Sequence, residues 1–276
     1  MNVIYVHIGE IPKYLLLSIL RASKNNDVTV ITDDVKYKSS EFKKVALTDY
    51  CEGLDQFKNV YKHFSTNKAD FEFICIFRWM ILKNYVSSNI DTSFYYSDSD
   101  SYIYYDLQQM YDSYYSDYDA CYVMTENQDN YRWSCSGASS FWTVDCLKKF
   151  CSFIFKTYSD TKVLEEKWDY HVKNNKPGGI CDMTLLYLFH KQINFYPLTK
   201  VIDGYAFDQN PFDPNNWYES EYDFDRIKKV TWKGGYPYCY NTVLKQDIKF
   251  IAIPEYAKHD IFGRGLICNI TAPAWQ

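Results

Sequence analysis

Asn2-Val-Ile-Tyr-Val-His-Ile8, then Pro12-Lys-Tyr-Leu-Leu-Leu-Ser-Ile-Leu20, then Asp27-Val-Thr-Val-Ile-Thr-Asp33 is the stretch on which the architecture turns. The first and third pieces are short apolar runs with β-branched members, too brief for helices and bounded by turn residues. The middle piece opens on a proline suited to a first helical turn, and the helix, Pro12 to Ser23, ends near Asn25-Asn26. Strand, helix, strand predicts a βαβ unit in an α/β protein with a parallel sheet. No G-x-G-x-x-G follows the first strand and no G-x-x-x-x-G-K-[ST] occurs anywhere, so a dinucleotide or P-loop site is not expected.

Outward from that unit, residues 70–86, DFEFICIFRWMILKNYV, are apolar almost all round a helix, as in a helix buried between layers. Arg78 inside it must meet a carboxylate or a phosphate, because an unpaired buried charge costs several kcal/mol. An internal ion pair with an aspartate and a place beside a ligand's phosphates both satisfy that requirement. From Asn84 to Tyr131 the chain has no Lys, Arg or His but many carboxylates, a pattern that raises their pKa values and invites an external cation. Within it, Ser93-Phe-Tyr-Tyr-Ser97-Asp98-Ser-Asp100 is an apolar strand running into an acidic pair. The carboxyl ends of strands in open α/β sheets are where ligands bind. Asp98 and Asp100 are therefore candidate hard oxygen donors for Mn²⁺ or Mg²⁺, with water and a diphosphate completing the coordination. The same D-x-D string recurs at Asp117/Asp119 and Asp223/Asp225 without a clean strand before it.

A small-residue segment, Ser136 to Trp142, leads into an amphipathic helix, Thr143 to Lys156. Pro177-Gly178-Gly179 then feeds a second helix whose start falls at or near Asp182. That carboxylate either caps the helix or is presented by the tight glycine turn to a substrate. Residues 200–276 read as short strands and loops rich in Pro, Gly and Trp, with no linker and no internal repeat, so residues 1–276 are read as one domain. Nine cysteines are scattered singly with no C-x-x-C, several inside apolar runs, which predicts reduced buried thiols. Thirty Lys+Arg against 35 Asp+Glu give a formal charge of -5, which argues against a nucleic-acid partner. With no apolar run long enough to span a bilayer and no basic leader at the start, a soluble cytoplasmic protein is expected. The 28 Tyr, 18 Phe and 7 Trp suit an aromatic core and a cleft with sugar- or base-stacking faces.

The ordered set IYVHIGEIPKYLLLSI, VTVITDD, FEFICIFRWMIL, SFYYSDSDSYIY, SGASSFW, GGICDMTLL, VIDGYAFDQNPF and WKGGYPYCYN resembles the DxD-containing glycosyltransferases of the GT-A fold. The resemblance covers most of the chain. It implies a central, mostly parallel mixed sheet flanked by helices, a nucleotide-sugar-binding half over residues 1–130, and an acceptor-binding half over residues 131–276 that ends in short strands and loops. It implies a donor such as a UDP-sugar and a glycan or other hydroxyl acceptor. Val6, His7 and Ile8 with Asp33 would flank the base and ribose. Asp98 and Asp100 would bind the ribose and the metal on the diphosphate, Arg78 would face that pair or the diphosphate, and Asp182 would lie on the acceptor side of the anomeric carbon. A late histidine completes the metal site in such enzymes. The corresponding stretch here, Phe250 to His259, is out of register, so Glu255 or His259 takes that contact, fewer protein ligands hold the metal, or activity is weakened.

Two other classes compete. A D-x-D phosphatase or phosphotransferase wants Thr or Val two residues after its second Asp, where Tyr102 stands. A non-catalytic carbohydrate-binding protein, or an inactive transferase homologue, would use the aromatics as stacking platforms and tolerate the altered histidine region.

Overall fold

The computed structural model describes residues 1–34, 36, 42–124, 127–208, 221–225 and 227–254. The opening βαβ unit forms as β1 (Asn2–His7), α1 (Lys13–Ala22) and β2 (Asp27–Thr32), with Pro12 as the residue before the helix. There follow β3 (Lys43–Ala46), α2 (Leu54–Val60), α3 (Ala69–Asn89), β4 (Ser93–Ser97), β5 (Ser101–Ile103) and α4 (Leu107–Met110). Next come β6 (Ala120–Met124), β7 (Cys135–Thr143), α5 (Val144–Ser159), α6 (Lys162–Lys173), α7 (Asp182–Phe189) and β8 (Phe195–Pro197). The late strands are β9 (Tyr205–Ala206), β10 (Phe224–Asp225), β11 (Ile227–Lys228), β12 (Thr231–Lys233), β13 (Tyr236–Asn241), β14 (Gln246–Phe250) and β15 (Ala252–Pro254).

The central sheet has seven strands in the order β3-β2-β1-β4-β7-β6-β8. Only β7 runs against the rest: β1 pairs with β2 and β4 in parallel, β2 with β3, and β6 with β8. This is the mostly parallel mixed sheet expected. The inner strands β1, β2, β4, β7 and β6 are buried on both faces, which is why they read as continuous apolar runs rather than alternating ones. Successive residues still point to opposite sides. Ile4, Phe94, Tyr96, Tyr122 and Trp142 join the core under α3, α5 and α7. Val3, Tyr5, Tyr95, Cys121 and Phe141 join the core under α1 and α4.

Helix α3 is 21 residues long and lies between the sheet and α5, which explains its lack of a polar side in the middle turns. Trp79, 0% exposed, packs on Tyr96 (4.9 Å between ring centroids), Trp142 (5.4 Å) and Phe150 (5.5 Å). Removing so large a buried ring costs about 3–5 kcal/mol in comparable cores. The late strands build a second, four-stranded sheet, β12-β13-β14-β9, while β15 pairs with β5, just beyond the acidic pair. Among the described residues no helix is long and apolar enough to cross a membrane.

Candidate active site

The chain runs outward from β1 through β2 to β3, then returns to place β4 on the other side of β1. The strand order therefore reverses between β1 and β4. The carboxyl ends of two such strands diverge into a crevice, the usual ligand position in sheets of this kind. Val6, His7 and Ile8 end β1 there and Asp98 follows β4 directly. His7 joins the two strand ends: its Nδ1 lies 3.1 Å from Ser99 Oγ, and its Nε2 lies 3.0 Å from the Glu10 carbonyl oxygen. Burial pulls the imidazole below its ordinary pKa, although the Glu10 carbonyl, Asp33 and Asp34 oppose the shift. Asp33, after β2, accepts the Gly9 N–H at 2.7 Å, and Asp34 accepts the Ile11 N–H at 2.9 Å. Val6, His7 and Ile8 thus end one strand and Asp33 follows the next, where Asp33 shapes the loop that leaves β1.

Arg78 answers the demand that its sequence context made. Its Nη1 donates to Asp98 Oδ1 at 2.8 Å and its Nη2 to Asp182 Oδ2 at 2.7 Å, while its side chain stays 19% exposed. Two carboxylates 84 residues apart, from a strand end and a helix start, are brought together by one guanidinium. Burial works against the Arg78 charge, but Asp98, Tyr96 and Asp182 outweigh it and raise its pKa further. The Asp98 carboxyl is pushed up from its ordinary value, by burial first and by Asp100 and Asp182, with Arg78 and the Tyr96 hydroxyl opposing. Tyr96 donates its hydroxyl to the same Asp98 Oδ1 at 3.0 Å.

Asp182 is not the helix cap. The capping position belongs to Cys181, and the Asp182 side chain, one residue inside the helix, makes no capping bond. Its Oδ2 accepts instead from Arg78 and, at 3.1 Å, from the indole N–H of Trp79. The residue is 4% exposed. Two glycines make this placement possible. A Cβ on Gly137 of β7 would lie 2.4 Å from the Trp79 ring, so the small-residue segment leaves room for the indole that reaches Asp182. Gly179, with φ +154°, would put a Cβ 2.1 Å from the Phe64 carbonyl oxygen. The turn before Asp182 is pinned there: Ile180 N–H donates to Phe64 O at 2.8 Å and Thr66 N–H to Gly178 O at 3.0 Å.

The donor set fits a divalent cation. Asp98 and Asp100 are hard oxygen donors one residue apart at a partly exposed strand end, the donor chemistry that Mn²⁺ or Mg²⁺ takes. Among the described residues no group of three or more His, Cys, Asp or Glu side chains forms a metal-binding cluster. Glu255 and His259 lie outside the described residues. The other D-x-D strings serve the scaffold: Asp119 accepts the Asn194 N–H at 3.0 Å, and Asp223 pairs with Lys229 at 3.1 Å.

Sequence reasoning passed over Trp79, Tyr96, Gly137 and Glu72. Glu72 is 2% exposed and accepts from Ser65 Oγ at 3.1 Å and Asn67 Nδ2 at 2.7 Å, fastening the loop that grips the Gly178-Gly179 turn. A carboxylate in the first turn of an otherwise apolar helix was its visible signal. Trp79 and Tyr96 carried none beyond their adjacency to Arg78 and Asp98.

No family model and no curated protein matches the sequence. Among solved structures, the chain is similar to the apo form of mouse xyloside xylosyltransferase 1, with 8% identity over 72% of this chain and 85% of that one and a TM-score of 0.49. It is also similar to the galactosyltransferase LgtC in complex with donor and acceptor sugar analogs, at 10% identity over 72% and 73% of the two chains and a TM-score of 0.43. A glycosyltransferase involved in glycosylation of the major capsid of PBCV-1 aligns at 10% identity over 58% of this chain and 67% of that one, with a TM-score of 0.33.

Proposed function

We propose that this chain is a metal-dependent glycosyltransferase that moves a sugar from a nucleotide diphosphate, with a UDP-sugar favoured, to a hydroxyl of a glycan or other acceptor. The observation that carries the reading is Arg78 tying Asp98, at the end of β4, to Asp182, at the start of α7, beside the crevice where the strand order reverses. Asp98 and Asp100 would hold Mn²⁺ or Mg²⁺. When bound, such an ion supplies Lewis-acid neutralisation of a departing diphosphate.

The chain's own residues do the rest. Val6, His7, Ile8 and Asp33 line the base and ribose end, and the first 130 residues form the donor half. Arg78 holds Asp98 and Asp182 at a set separation and brings a positive charge toward the diphosphate. Asp182 faces the acceptor hydroxyl. In an inverting reaction it takes the acceptor proton at a carboxylate oxygen, and in a retaining one it orients the hydroxyl. The bridging use of Arg78, one nitrogen donating to each carboxylate, suits this, because the planar guanidinium fixes both at once.

A second reading, an inactive homologue that only binds saccharide, is favoured by Asp98 Oδ1 being already engaged by both Arg78 and Tyr96. One experiment separates the two. UDP is titrated by calorimetry with and without Mn²⁺, into the native chain and into Asp100→Ala. Metal-dependent binding by the native chain and its loss in the variant, with an unchanged melting midpoint, is the expected result. Metal-independent binding, or none, removes the transferase reading.

A further inference from the structure

Arg78 and Trp79 hold Asp182 directly, but the turn that carries Asp182 into the site is held from another part of the same helix. Glu72 sits in the first turn of α3, seven residues before Trp79, so two turns of helix bring both to one face. It is 2% exposed, and its Oε1 accepts from Ser65 Oγ at 3.1 Å and from Asn67 Nδ2 at 2.7 Å. Ser65 Oγ in turn accepts the Asn67 N–H at 3.2 Å, and His63 Nε2 lies 3.0 Å from the Asn67 carbonyl oxygen, which closes the loop on itself. The other oxygen, Oε2, is buried with no hydrogen-bond partner among the described residues. An aliphatic side chain would fill this place without that cost, so packing alone does not account for a carboxylate here. Burial raises the Glu72 carboxyl above its ordinary value, the Asn67 and Ser65 hydrogen bonds hold it back, and the nearby Asp182 charge raises it further.

The anchored loop grips the segment before Asp182. Ser65 pairs with Gly179 in an antiparallel bridge, Ile180 N–H donates to Phe64 O at 2.8 Å, Thr66 N–H to Gly178 O at 3.0 Å, and Gly178 N–H to Thr66 Oγ1 at 2.8 Å. The Gly179 backbone approaches Phe64 so closely that a Cβ would lie 2.1 Å from its carbonyl oxygen, so the two stretches of chain move together. Beyond Asp182, Lys167 of α6, 3% exposed, donates its ammonium to Thr184 Oγ1 at 2.7 Å. The same ammonium donates to the Arg132 and Trp133 carbonyls at 3.0 and 3.4 Å, in a loop where Asn130, Tyr131 and Trp133 take left-handed φ values of 54°, 57° and 35°. The segment 178–184 is thus anchored at its start through a buried carboxylate and at its end by a buried ammonium, with Asp182 between them.

Helix α3 therefore meets Asp182 twice, directly at Arg78 and Trp79 and through the loop at Glu72. A rigid helix fixes the distance between the two grips. We propose that Glu72 is a positioning residue, which sets the register of the turn at 178–180 and so places the Asp182 carboxylate on the Arg78 guanidinium and the Trp79 indole. This deepens the transferase reading and rests on it only for the consequence in catalysis.

The test is a ¹H–¹⁵N spectrum of the tryptophan side chains in the full chain, with the Trp79 indole N–H assigned through its ring contacts to Tyr96 and Trp142. The chemical shift of that proton reports its bond to Asp182 in the folded molecule, and a lowered melting midpoint alone does not move it. Glu72→Met removes the accepting oxygen at similar volume and is expected to move the signal upfield, toward that of an indole with no carboxylate partner. Glu72→Gln keeps an oxygen for Ser65 and Asn67 and is expected to restore the native position. Asn67→Ala, at an exposed site, removes one of the two donors and is expected to move the signal the same way by less, so the test stands even where Glu72→Met does not fold. A native signal in Glu72→Met or in Asn67→Ala, or a displaced one in Glu72→Gln, overturns the proposal. Failure of the transferase reading shows separately, as absent metal-dependent UDP binding by the native chain, and in that case a displaced Trp79 signal leaves Glu72 placing Asp182 in a site without a transfer role.

Discussion

The two sides of Asp182 are built on opposite plans. On the side of β4, Asp98 and Asp182 flank the Arg78 guanidinium and Asp100 adds its charge beside Asp98, and regular elements hold them, a strand end and two helices. On the side of α6, a loop of residues with left-handed backbone is propped on a buried ammonium. Burial acts in both places and pushes in opposite directions. It raises the Asp98 carboxyl and lowers the Lys167 ammonium to about 8. The contrast teaches that regular structure can aim charge without backbone strain, whereas a loop that must hold an irregular path needs a buried polar group to fix it.

The comparison breaks most sharply at Asp182, which belongs to both sides. Asp182→Asn keeps an acceptor for the Trp79 indole and disturbs no cap, so metal-dependent UDP binding is expected to survive. Transfer at saturating donor is expected to fall by about two to four orders of magnitude, the scale of a lost general base. A near-native rate would reduce the residue to a partner of Arg78.

The acidic side alone is tested by Arg78→Met, which fills similar volume and leaves Asp98 and Asp182 to repel each other. A loss of about 2–3 kcal/mol is expected, short of the 3–5 typical of a fully buried pair because the side chain retains solvent contact. In a chain of this size that lowers the melting midpoint by roughly 4–12 °C. Added Mn²⁺ is expected to recover part of the loss, and calorimetric melting with and without the ion checks both statements.

The side of α6 is sharpened by pH. Lys167 has a folded pKa of about 8 against an ordinary 10.5, so between those values the unfolded chain binds the extra proton. Stability contributed at this position therefore rises with pH across that window. Measured against Lys167→Met, which cancels the titration of the buried tyrosines, the native chain is expected to gain about 2–3 kcal/mol from pH 8 to pH 10. A flat difference would show that the ammonium is better solvated than its burial implies. The smallest effect is expected at Asp225, exposed on β10. Asp225→Ala is expected to change stability by less than about 0.5 kcal/mol and to leave metal-dependent UDP binding untouched, which separates its D-x-D string from the one after β4.

Much of the scaffold was legible because local pattern states what must be buried. The apolar runs at 2–8 and 27–33 became β1 and β2, and the all-round apolar run at 70–86 became the sandwiched α3. The strand ending in Asp98-Ser99-Asp100 was legible for the same reason, since polar turn residues stop an apolar strand. Asp182 was located only to within a residue: a carboxylate next to a helix start reads as a cap, and the one-position offset that gives the cap to Cys181 has no signature in the string.

What the sequence determined by itself was a set of obligations: a parallel sheet from strand-helix-strand order, a buried guanidinium in need of anions, and an acidic pair at the end of a strand. Who meets those obligations was decided by tertiary structure. Arg78 finds Asp98 at a separation of 20 residues and Asp182 at 104, and the Trp79 indole reaches Asp182 only because Gly137 stands where a methyl group would collide with its ring. Lys167, in a helix that looks ordinary in the string, ends up beneath a strained loop and against Thr184. The physical reason is that periodicity encodes which faces leave water, a property of each segment alone. The partner met on the far side depends on strand order, packing and steric room, which belong to the whole chain at once.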